Sequence, residues 1–346
     1  MDRRQFIGHG LAGLSAVAAA QGFAQPASAG RPYRILMITF RGETDIERGF
    51  RSHLASAGVA VEIRARDTRQ DVSKVAAILR EEAAFQPDLI TTWGTGVTLA
   101  VTGTHDAPAR HALSGVPVVF APVALPVQAR IVSRLAGHGR PLTGVVHVVP
   151  TEVQLRTMQS YLPFTRFGLI YTPTEPNSMV AVGEVREFAR QSGTQLIERP
   201  LRLSAAGHPL ADGIEDMVAD LRREGAQWLY LPPDTFLGSL FPRVAPAALA
   251  QQLPTFGSTE LAVRSGGALV GLVCRYTSVG QLAAAKAIEI LVKGRPASDL
   301  PIETLKRFSL MVNMDVARSL GGLYPPIEML NQAEFVDQAA PGRPTS

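Results

Sequence analysis

Short apolar runs alternate regularly with amphipathic segments along this sequence, and this alternation limits the folds that the chain can adopt. Runs such as YRILMITF (33–40) and FGLIYT (167–172) indicate strands, because they are short, apolar and followed by polar loops. Segments such as DIERGFRSHLASAG (45–58) indicate amphipathic helices between the strands. Strand, helix, strand, helix is typical of parallel sheets with crossover helices on both faces, so the predicted fold class is α/β.

About ten such strand–helix units follow one another, which is more than one open sheet of usual width or an eight-unit barrel holds. Two doubly wound parallel-sheet lobes joined by a hinge fit that number better. We place the passages between the lobes near VVHVVPTEV (145–153) and near CRYTS (274–278). The expected N-terminal lobe is 30–147, with 277–312 returning to it, and the expected C-terminal lobe is 148–276, with 313–335 packing on it.

The first 29 residues differ from the rest and predict an export signal of the twin-arginine type. Arg3 and Arg4 precede a Gly/Ala-rich stretch, and the ASA at 27–29 suits a signal peptidase. The apolar part is shorter than the roughly 20 residues that a membrane span needs, so a membrane anchor is the less favoured interpretation. The predicted location is therefore the periplasm, and the last residues, 336–346, are expected to be disordered.

The sequence contains no assembled set of catalytic or metal-binding residues. Its histidines lack zinc spacing, and WGTGVTLA (93–100) has Leu99 where a dinucleotide fingerprint needs its third glycine. The net charge of +4 is mild, and no basic cluster is interleaved with aromatic residues, so nucleic acid is not an expected partner. No catalytic residue, metal or cofactor is predicted, and the chain is not expected to be an enzyme.

Polar loops follow six of the predicted strands, at the edge where open α/β sheets bind their ligands. The loops are TFRGETD (39–45), TWGTG (92–96), APVALP (121–126), TPTEPNS (172–178), PPDTFLGS (232–239) and GSTE (257–260). Exposed N–H groups at the following helix starts favour a carboxylate, whereas Asp234 after an apolar strand needs a cation or donors. For TPTEPNS the spacing alone leaves two interpretations open: a helix start capped by Asn177 or Ser178, or the wall of a binding site.

Several segments resemble the ABC transporter substrate-binding family typified by tryptophan/tyrosine-binding periplasmic proteins. They are YLPFTRFGLIYTPTEPNS (161–178), YLPPDTFLGS (230–239), the block from PTFGSTE to the helix ending in ILVKG (254–294) and LMVNMDVARSLG (310–321). The resemblance covers most of the chain after the export signal, and its second half is the more specific. It implies the type I periplasmic binding protein architecture, in which two lobes close over a small molecule.

The resemblance also implies a set of ligand-binding residues. Matched residue by residue, or placed in the corresponding loops, they are Phe40, Thr95, Gly96, Glu175, Asn177, Ser178, Asp234 and Tyr276. We expect Asp234 to contact an ammonium or donor group, Ser178 and Thr95 to hold a carboxylate, and Tyr276 to form an apolar wall. Phe40 or Trp93 would extend that wall. Two departures bear on the ligand: Leu125 replaces an acidic residue of the family, and FRGETD brings Arg41 and Glu43 near the cleft.

The expected function is that of a solute-binding protein of an ABC importer. It would bind an amino-acid-like or carboxylate solute by hinge closure, as a monomer, and deliver it to an ABC permease in the inner membrane, the partner that the resemblance implies. Two alternatives stay open: an extracytoplasmic sensor that reports ligand to a signalling partner, and an exported enzyme.

Overall fold

A computed structural model describes residues 31–336 of the chain. The predicted export signal, residues 1–29, lies outside the described residues, as do residues 337–346 of the predicted disordered tail. The tail prediction is wrong at its first residue, because Val336 is the buried end of a strand.

The described residues form thirteen β-strands, most of them short. In chain order they are β1 (Tyr33–Thr39), β2 (Val61–Asp67), β3 (Leu89–Thr92), β4 (Val118–Val123), β5 (Leu142–Val146), β6 (Arg166–Tyr171), β7 (Gln195–Pro200), β8 (Leu229–Leu231), β9 (Thr255–Gly257), β10 (Val270–Val273), β11 (Glu303–Thr304), β12 (Ser309–Asn313) and β13 (Ala333–Val336).

Twelve α-helices connect these strands within the same part of the chain. They are α1 (Asp45–Ser56), α2 (Val75–Glu81), α3 (Gly94–Thr102), α4 (Thr151–Tyr161), α5 (Pro176–Ser192), α6 (Ile214–Arg223), α7 (Thr235–Ser239), α8 (Phe241–Ala250), α9 (Glu260–Arg264), α10 (Tyr276–Leu291), α11 (Met314–Ser319) and α12 (Ile327–Leu330). Within residues 31–336, no helix is both long and apolar enough to cross a membrane.

The strands form two sheets, and each sheet with its helices is one lobe. The first sheet has the order β11-β5-β4-β3-β1-β2, and all of its pairs are parallel. The second has the order β13-β12-β10-β9-β8-β6-β7, with β10 and β12 as its antiparallel pair. Helices cover both faces of the sheets, and the hydrophobic core of each lobe lies between sheet and helices. The predicted α/β class with two doubly wound lobes is confirmed.

The chain passes between the lobes three times. It leaves the first sheet after β5, returns after β10, and leaves again between β11 and β12. Residues 309–312, which we expected in the returning segment of the first lobe, instead pair antiparallel with Val270–Val273 of the second sheet. The physical reason is burial: Met311 and Val312 are fully buried apolar side chains that need cover on both sides of a strand.

Helix α10 belongs to the first lobe, where it packs closely against α1. A Cβ atom at Gly280 would lie 2.0 Å from the carbonyl oxygen of Ile46, and one at Gly49 would lie 2.3 Å from that of Thr277. Only glycine allows the two backbones to approach this closely. Helix α10, which follows the second passage between the lobes, thus packs on the first lobe through close backbone contact with α1.

In both sheets the strand order reverses at one point. In the first sheet this switch point lies between β1 and β3, and in the second it lies between β6 and β8. The chain leaves neighbouring strands in opposite directions there, so a crevice opens at their carboxyl ends. The loops after these four strands are therefore in the position to form a binding site. On the second lobe they rest on a firm core, in which Trp228, Tyr230 and Phe256 are fully buried.

Candidate functional site

A small cavity of about 40 Å³ (the inner cavity) lies between the carboxyl ends of the two sheets. Each of the six loops proposed from the sequence contributes to its wall. One lining residue from each loop is Arg41, Thr95, Pro122, Asn177, Asp234 and Thr259, in that order. Loops that follow the strands at both switch points thus meet at one place, as the sheet order requires.

A second, wider cavity of about 480 Å³ (the outer cavity) adjoins the inner one. The two cavities share the lining residues Trp93, Gly94, Thr95, Asn177 and Thr235. A solute in the inner cavity can therefore extend a substituent into the outer one.

The structure brings seven of the eight expected ligand-binding residues to these cavities. Asp234 and Tyr276 line the inner cavity, whereas Phe40, Gly96 and Glu175 line the outer cavity. Thr95 and Asn177, as noted, line both. The exception is Ser178, which is fully buried and lines neither cavity.

The carboxylate of Asp234 is surrounded by donors from the protein itself. It accepts hydrogen bonds from the backbone N–H of Thr172 at 2.6 Å, from the Thr172 hydroxyl at 2.8 Å and from the backbone N–H of Leu237 at 2.8 Å. The Ser178 hydroxyl donates the fourth, at 2.7 Å. Burial raises the pKa of Asp234, and these hydrogen bonds oppose that shift. Asp234 is thus the N-cap of α7, and its bonds leave little capacity for the ligand ammonium that we expected it to contact.

The predicted roles of Ser178 and Asn177 differ from what the structure shows. Ser178 supports Asp234 from beneath the cavity, so it is not placed to hold a ligand carboxylate. Neither residue caps α5, because the N-cap position is Glu175 and Pro176 begins the helix. The amide of Asn177 instead donates to the carbonyl oxygen of Pro233 at 2.7 Å, which ties α5 to the loop before α7.

Glu175 is the second carboxylate at the start of α7. Its two oxygens accept the backbone N–H groups of Thr235 at 2.8 Å and Phe236 at 2.7 Å. Burial, together with the charge of Asp234, raises the pKa of Glu175 to about 7. Two carboxylates therefore share one short helix N-terminus, whose N–H groups and dipole stabilise negative charge.

Arg41 brings a cation into the inner cavity from the first lobe. Its guanidinium carbon lies 4.9 Å from the ring centre of Trp93 and 5.6 Å from that of Phe40, within the range of cation–π contacts. One terminal nitrogen, Nη2, donates to the carbonyl oxygen of Thr235 in the second lobe at 3.2 Å. Its Nε is buried without a hydrogen-bond partner among the described residues. Burial lowers the pKa of Arg41, while Tyr276 and Glu175 act in the opposite direction.

The neighbouring acidic residue of the same loop is directed elsewhere. Glu43 is exposed and lies 4.0 Å from the guanidinium of Arg51. Of the three charged residues of FRGETD, which are Arg41, Glu43 and Asp45, only Arg41 lines the inner cavity.

Two buried rings form the wall of the inner cavity near the passages between the lobes. Tyr276 and His147 meet edge to face, with ring centres 6.1 Å apart. Burial raises the pKa of Tyr276 to about 12 and lowers the pKa of His147 to about 4, so both side chains are neutral near pH 7. His147 was missing from the expected site, although it directly follows β5, where the rule used for the six loops also applies.

Some of these groups are suited to binding an anion. Helix α3 begins at the cavity without a side-chain cap, so the N–H groups of its first turn and Arg41 present positive charge together. The described residues contain no group of three or more His, Cys, Asp or Glu able to hold a metal. The thiol of Cys274 is buried, which raises its pKa to about 12 and makes it inert.

The sequence and the fold are both similar to those of known proteins. The family model for ABC transporter substrate binding proteins matches residues 36–335. A tyrosine-binding protein of Clostridioides difficile (strain R20291) is 24% identical over 264 residues, which cover 76% of this chain and 71% of that protein.

Two solved structures share the fold. A conserved domain protein from Vibrio cholerae O1 biovar eltor has a TM-score of 0.76 at 21% identity, over 88% of this chain and 100% of that one. An ABC domain in complex with L-Trp from Streptococcus pneumonia has a TM-score of 0.73 at 23% identity, over 87% of this chain and 99% of that one.

Proposed function

This chain belongs to the ABC transporter substrate-binding protein family, and we propose that it binds a small carboxylate-bearing solute in the inner cavity and delivers it to an ABC importer. In this proposal the protein acts in the periplasm as a monomer, without catalysis, and its partner is an ABC permease in the inner membrane.

The observation that carries the proposal is the placement of Arg41. Its guanidinium lines the inner cavity, and its Nε has no hydrogen-bond partner among the described residues. A buried charged donor without a partner is costly, and a solute carboxylate would remove that cost. Hydrogen bonds of this charge-assisted kind contribute about 1.5–3 kcal/mol each. The uncapped start of α3 adds N–H groups to the same site.

Hinge closure follows from the same residue. Arg41 stands on the first lobe and donates to Thr235 on the second, so it reaches across the cleft. A solute that contacts Arg41 and the second lobe together stabilises the closed arrangement. Its effect is limited by the difference between its affinities for the closed and open forms.

The test is a thermal-shift screen of small carboxylic acids and amino acids, including tyrosine and tryptophan because of the relatives described above. A solute at about a hundred times its Kd stabilises the protein by about 2.7 kcal/mol, which shifts the melting temperature measurably. For each acid that binds, Arg41→Ala should weaken binding about 100-fold. Arg41→Lys should weaken it about tenfold, because lysine keeps the positive charge but lacks the planar set of N–H donors of the guanidinium.

Arg48→Ala is the matched control, since Arg48 is exposed and paired with Asp45 on the surface of α1. It should leave binding unchanged. The proposal fails if no acid in the panel shifts the melting temperature, or if Arg41→Ala binds every acid as tightly as the wild type does.

A further inference from the structure

At the second passage between the lobes, a carboxylate of the second lobe holds the start of a first-lobe helix. Glu260 is the first residue of α9, which packs on β9, β10 and β12 of the second sheet. Its Oε2 accepts the backbone N–H of Tyr276, the first residue of α10. Helix α10 packs on α1 and on β4 and β5 of the first sheet, so this hydrogen bond joins the two lobes.

Helix α10 depends on this acceptor because its own sequence supplies none. The first N–H groups of a helix have no acceptor within the helix, and the side chain of the N-cap residue, Arg275, is a donor that forms no cap. The negative charge of Glu260 also interacts favourably with the positive end of the dipole of this 16-residue helix. The second lobe thus supplies the cap of a helix that belongs to the first lobe.

The charge of Glu260 is balanced by two arginines, which a second glutamate bridges. Arg264 Nε donates to Oε1 of Glu260 at 3.0 Å, and Arg275 Nε lies 2.9 Å from the same oxygen as an ion pair, without the alignment of a hydrogen bond. Both guanidiniums also donate to Glu334 of β13. The Glu260 side chain is 4% exposed, and a carboxylate buried to this degree is costly without such partners. The four charges therefore keep Glu260 in place.

The position of Glu260 links the passage between the lobes to the inner cavity. Its neighbour Thr259 lines this cavity, and so does Tyr276, whereas Glu260 itself lines neither the inner nor the outer cavity. A rotation of the lobes about the second passage has to turn α10 relative to α9, and the bond from Tyr276 to Glu260 restrains that turn close to its axis.

We infer that Glu260 is a positioning residue of the hinge: by accepting the Tyr276 N–H, it fixes the direction in which α10 leaves the second lobe, and with it the orientation of the first lobe. This inference goes beyond the proposed function and does not depend on the solute, because every contact involved lies within the protein. Removal of the acceptor frees the start of α10 and widens the range of lobe orientations while each lobe stays folded.

The first measurement is the amide hydrogen exchange of Tyr276, followed by NMR in the protein without added solute. In Glu260→Ala this amide loses its acceptor and should exchange at least about tenfold faster than in the wild type. Glu260→Gln keeps one acceptor oxygen, so its rate should lie between these two. Glu334→Ala is the matched control, because it takes an acid from the same two arginines but leaves the acceptor of Tyr276. Its rate should stay within about twofold of the wild type.

The second measurement is the distance between the lobes, by pulsed electron paramagnetic resonance between two spin labels. Ser52→Cys on α1 and Ser192→Cys on α5 place the labels at exposed positions of the first and the second lobe. The native Cys274 is buried and does not take up a label. Glu260→Ala should make the distance distribution about twofold wider than in the wild type, whereas Glu334→Ala should leave its width unchanged.

The inference is wrong if Glu260→Ala leaves both quantities unchanged, or if Glu334→Ala changes them as much as Glu260→Ala does. It is also wrong if the exchange rate rises while the distance distribution keeps its width, since Glu260 is then a cap of α10 that does not position the lobes. Should Glu260→Ala not fold, Glu260→Gln is compared with Glu334→Gln by the same two measurements. Neither measurement uses a solute, so this inference and the proposed function can fail independently.

Discussion

The two walls of the inner cavity carry similar polar residues but use them differently. On the first lobe, Arg41 and His147 each keep one buried polar atom without a hydrogen-bond partner in the part of the chain that the structure describes. On the second lobe, Asp234 and Glu175 have their oxygens occupied by backbone N–H groups and hydroxyls. A polar side chain at a cleft is thus not necessarily a ligand contact. In the proposed function the first wall contacts the solute, whereas the polar groups of the second wall are bound to one another within the protein.

The difference has a physical cause in helix α7. The first N–H groups of any helix have no acceptor within the helix, so in α7, which has only five residues, most of the N–H groups depend on neighbouring acceptors. Asp234 and Glu175 supply those acceptors, and Thr172 and Ser178 hold Asp234 in turn. On the first lobe, α3 begins without a side-chain cap, which leaves its first turn available to a solute.

The largest effect should come from Asp234→Asn, which breaks the second wall. The amide keeps one acceptor oxygen and turns an N–H₂ group toward donors, so hydrogen bonds from Thr172, Ser178 or Leu237 are lost. We expect the free energy of unfolding in urea to fall by about 2–4 kcal/mol. Arg41→Ala, on the first wall, should change stability by less than about 1 kcal/mol while it weakens binding about 100-fold. If Asp234→Asn instead kept the wild-type stability and lost affinity only for solutes that carry an amine, Asp234 would be a ligand contact, and the difference between the two walls described here would be wrong.

A smaller effect is expected in the pH dependence of stability, through Glu175. Its pKa is raised in the folded protein, so the folded state binds more protons than the unfolded state between the ordinary value of 4.5 and about 7. This contribution is fully present below that window and is lost as the pH rises through it. Glu175→Gln removes it.

The measurement compares urea unfolding of the wild type and Glu175→Gln at several pH values. Between pH 5.5 and pH 8 the wild type should lose about 1–2 kcal/mol more than the variant. A loss of stability that is the same at every pH does not affect this comparison, because only the change of the unfolding free energy with pH is compared. Equal slopes for the two proteins would mean that Glu175 is not held in the buried environment of the second wall.

The smallest effect should follow from Ser178→Ala, which removes one of the four donors to Asp234. Thr172 and Leu237 still donate, so unfolding should cost about 1 kcal/mol less and solute affinity should stay within about twofold. Ser192→Ala, at the exposed end of the same helix, is the matched control and should change neither quantity. A large loss of affinity in Ser178→Ala would return Ser178 to the ligand-binding role that the sequence suggested.

Much of this arrangement could be predicted from the sequence, because local patterns determine it. The alternation of apolar runs and amphipathic segments predicts the two parallel-dominated sheets, and the polar loops after six strands predict the cavity wall. The third passage between the lobes was placed after residue 312, whereas the chain already joins the second sheet at Ser309, since β11 has only two residues and the loop to β12 has no distinctive pattern. Helix α8 was also missed, because Pro246 inside it interrupts the helical pattern.

The division of roles between the walls could not be predicted, because it depends on contacts far apart in sequence. Asp234 is paired with Thr172, 62 residues away, and with Ser178, 56 residues away, and neither spacing is visible as a motif. The same limit applies to Arg41, which enters the cavity while Glu43, two residues later, is exposed.

The placement of the two tryptophans gives the protein a built-in optical reporter. Trp93 lies under Arg41 in the wall that both cavities share, whereas Trp228 is sealed in the core of the second lobe at 0% exposure. A solute that draws the guanidinium away from the indole of Trp93 changes the emission of that ring alone, and Trp228 supplies a constant reference signal. Intrinsic fluorescence can therefore follow the occupancy of the cleft in the unmodified chain, without an attached dye.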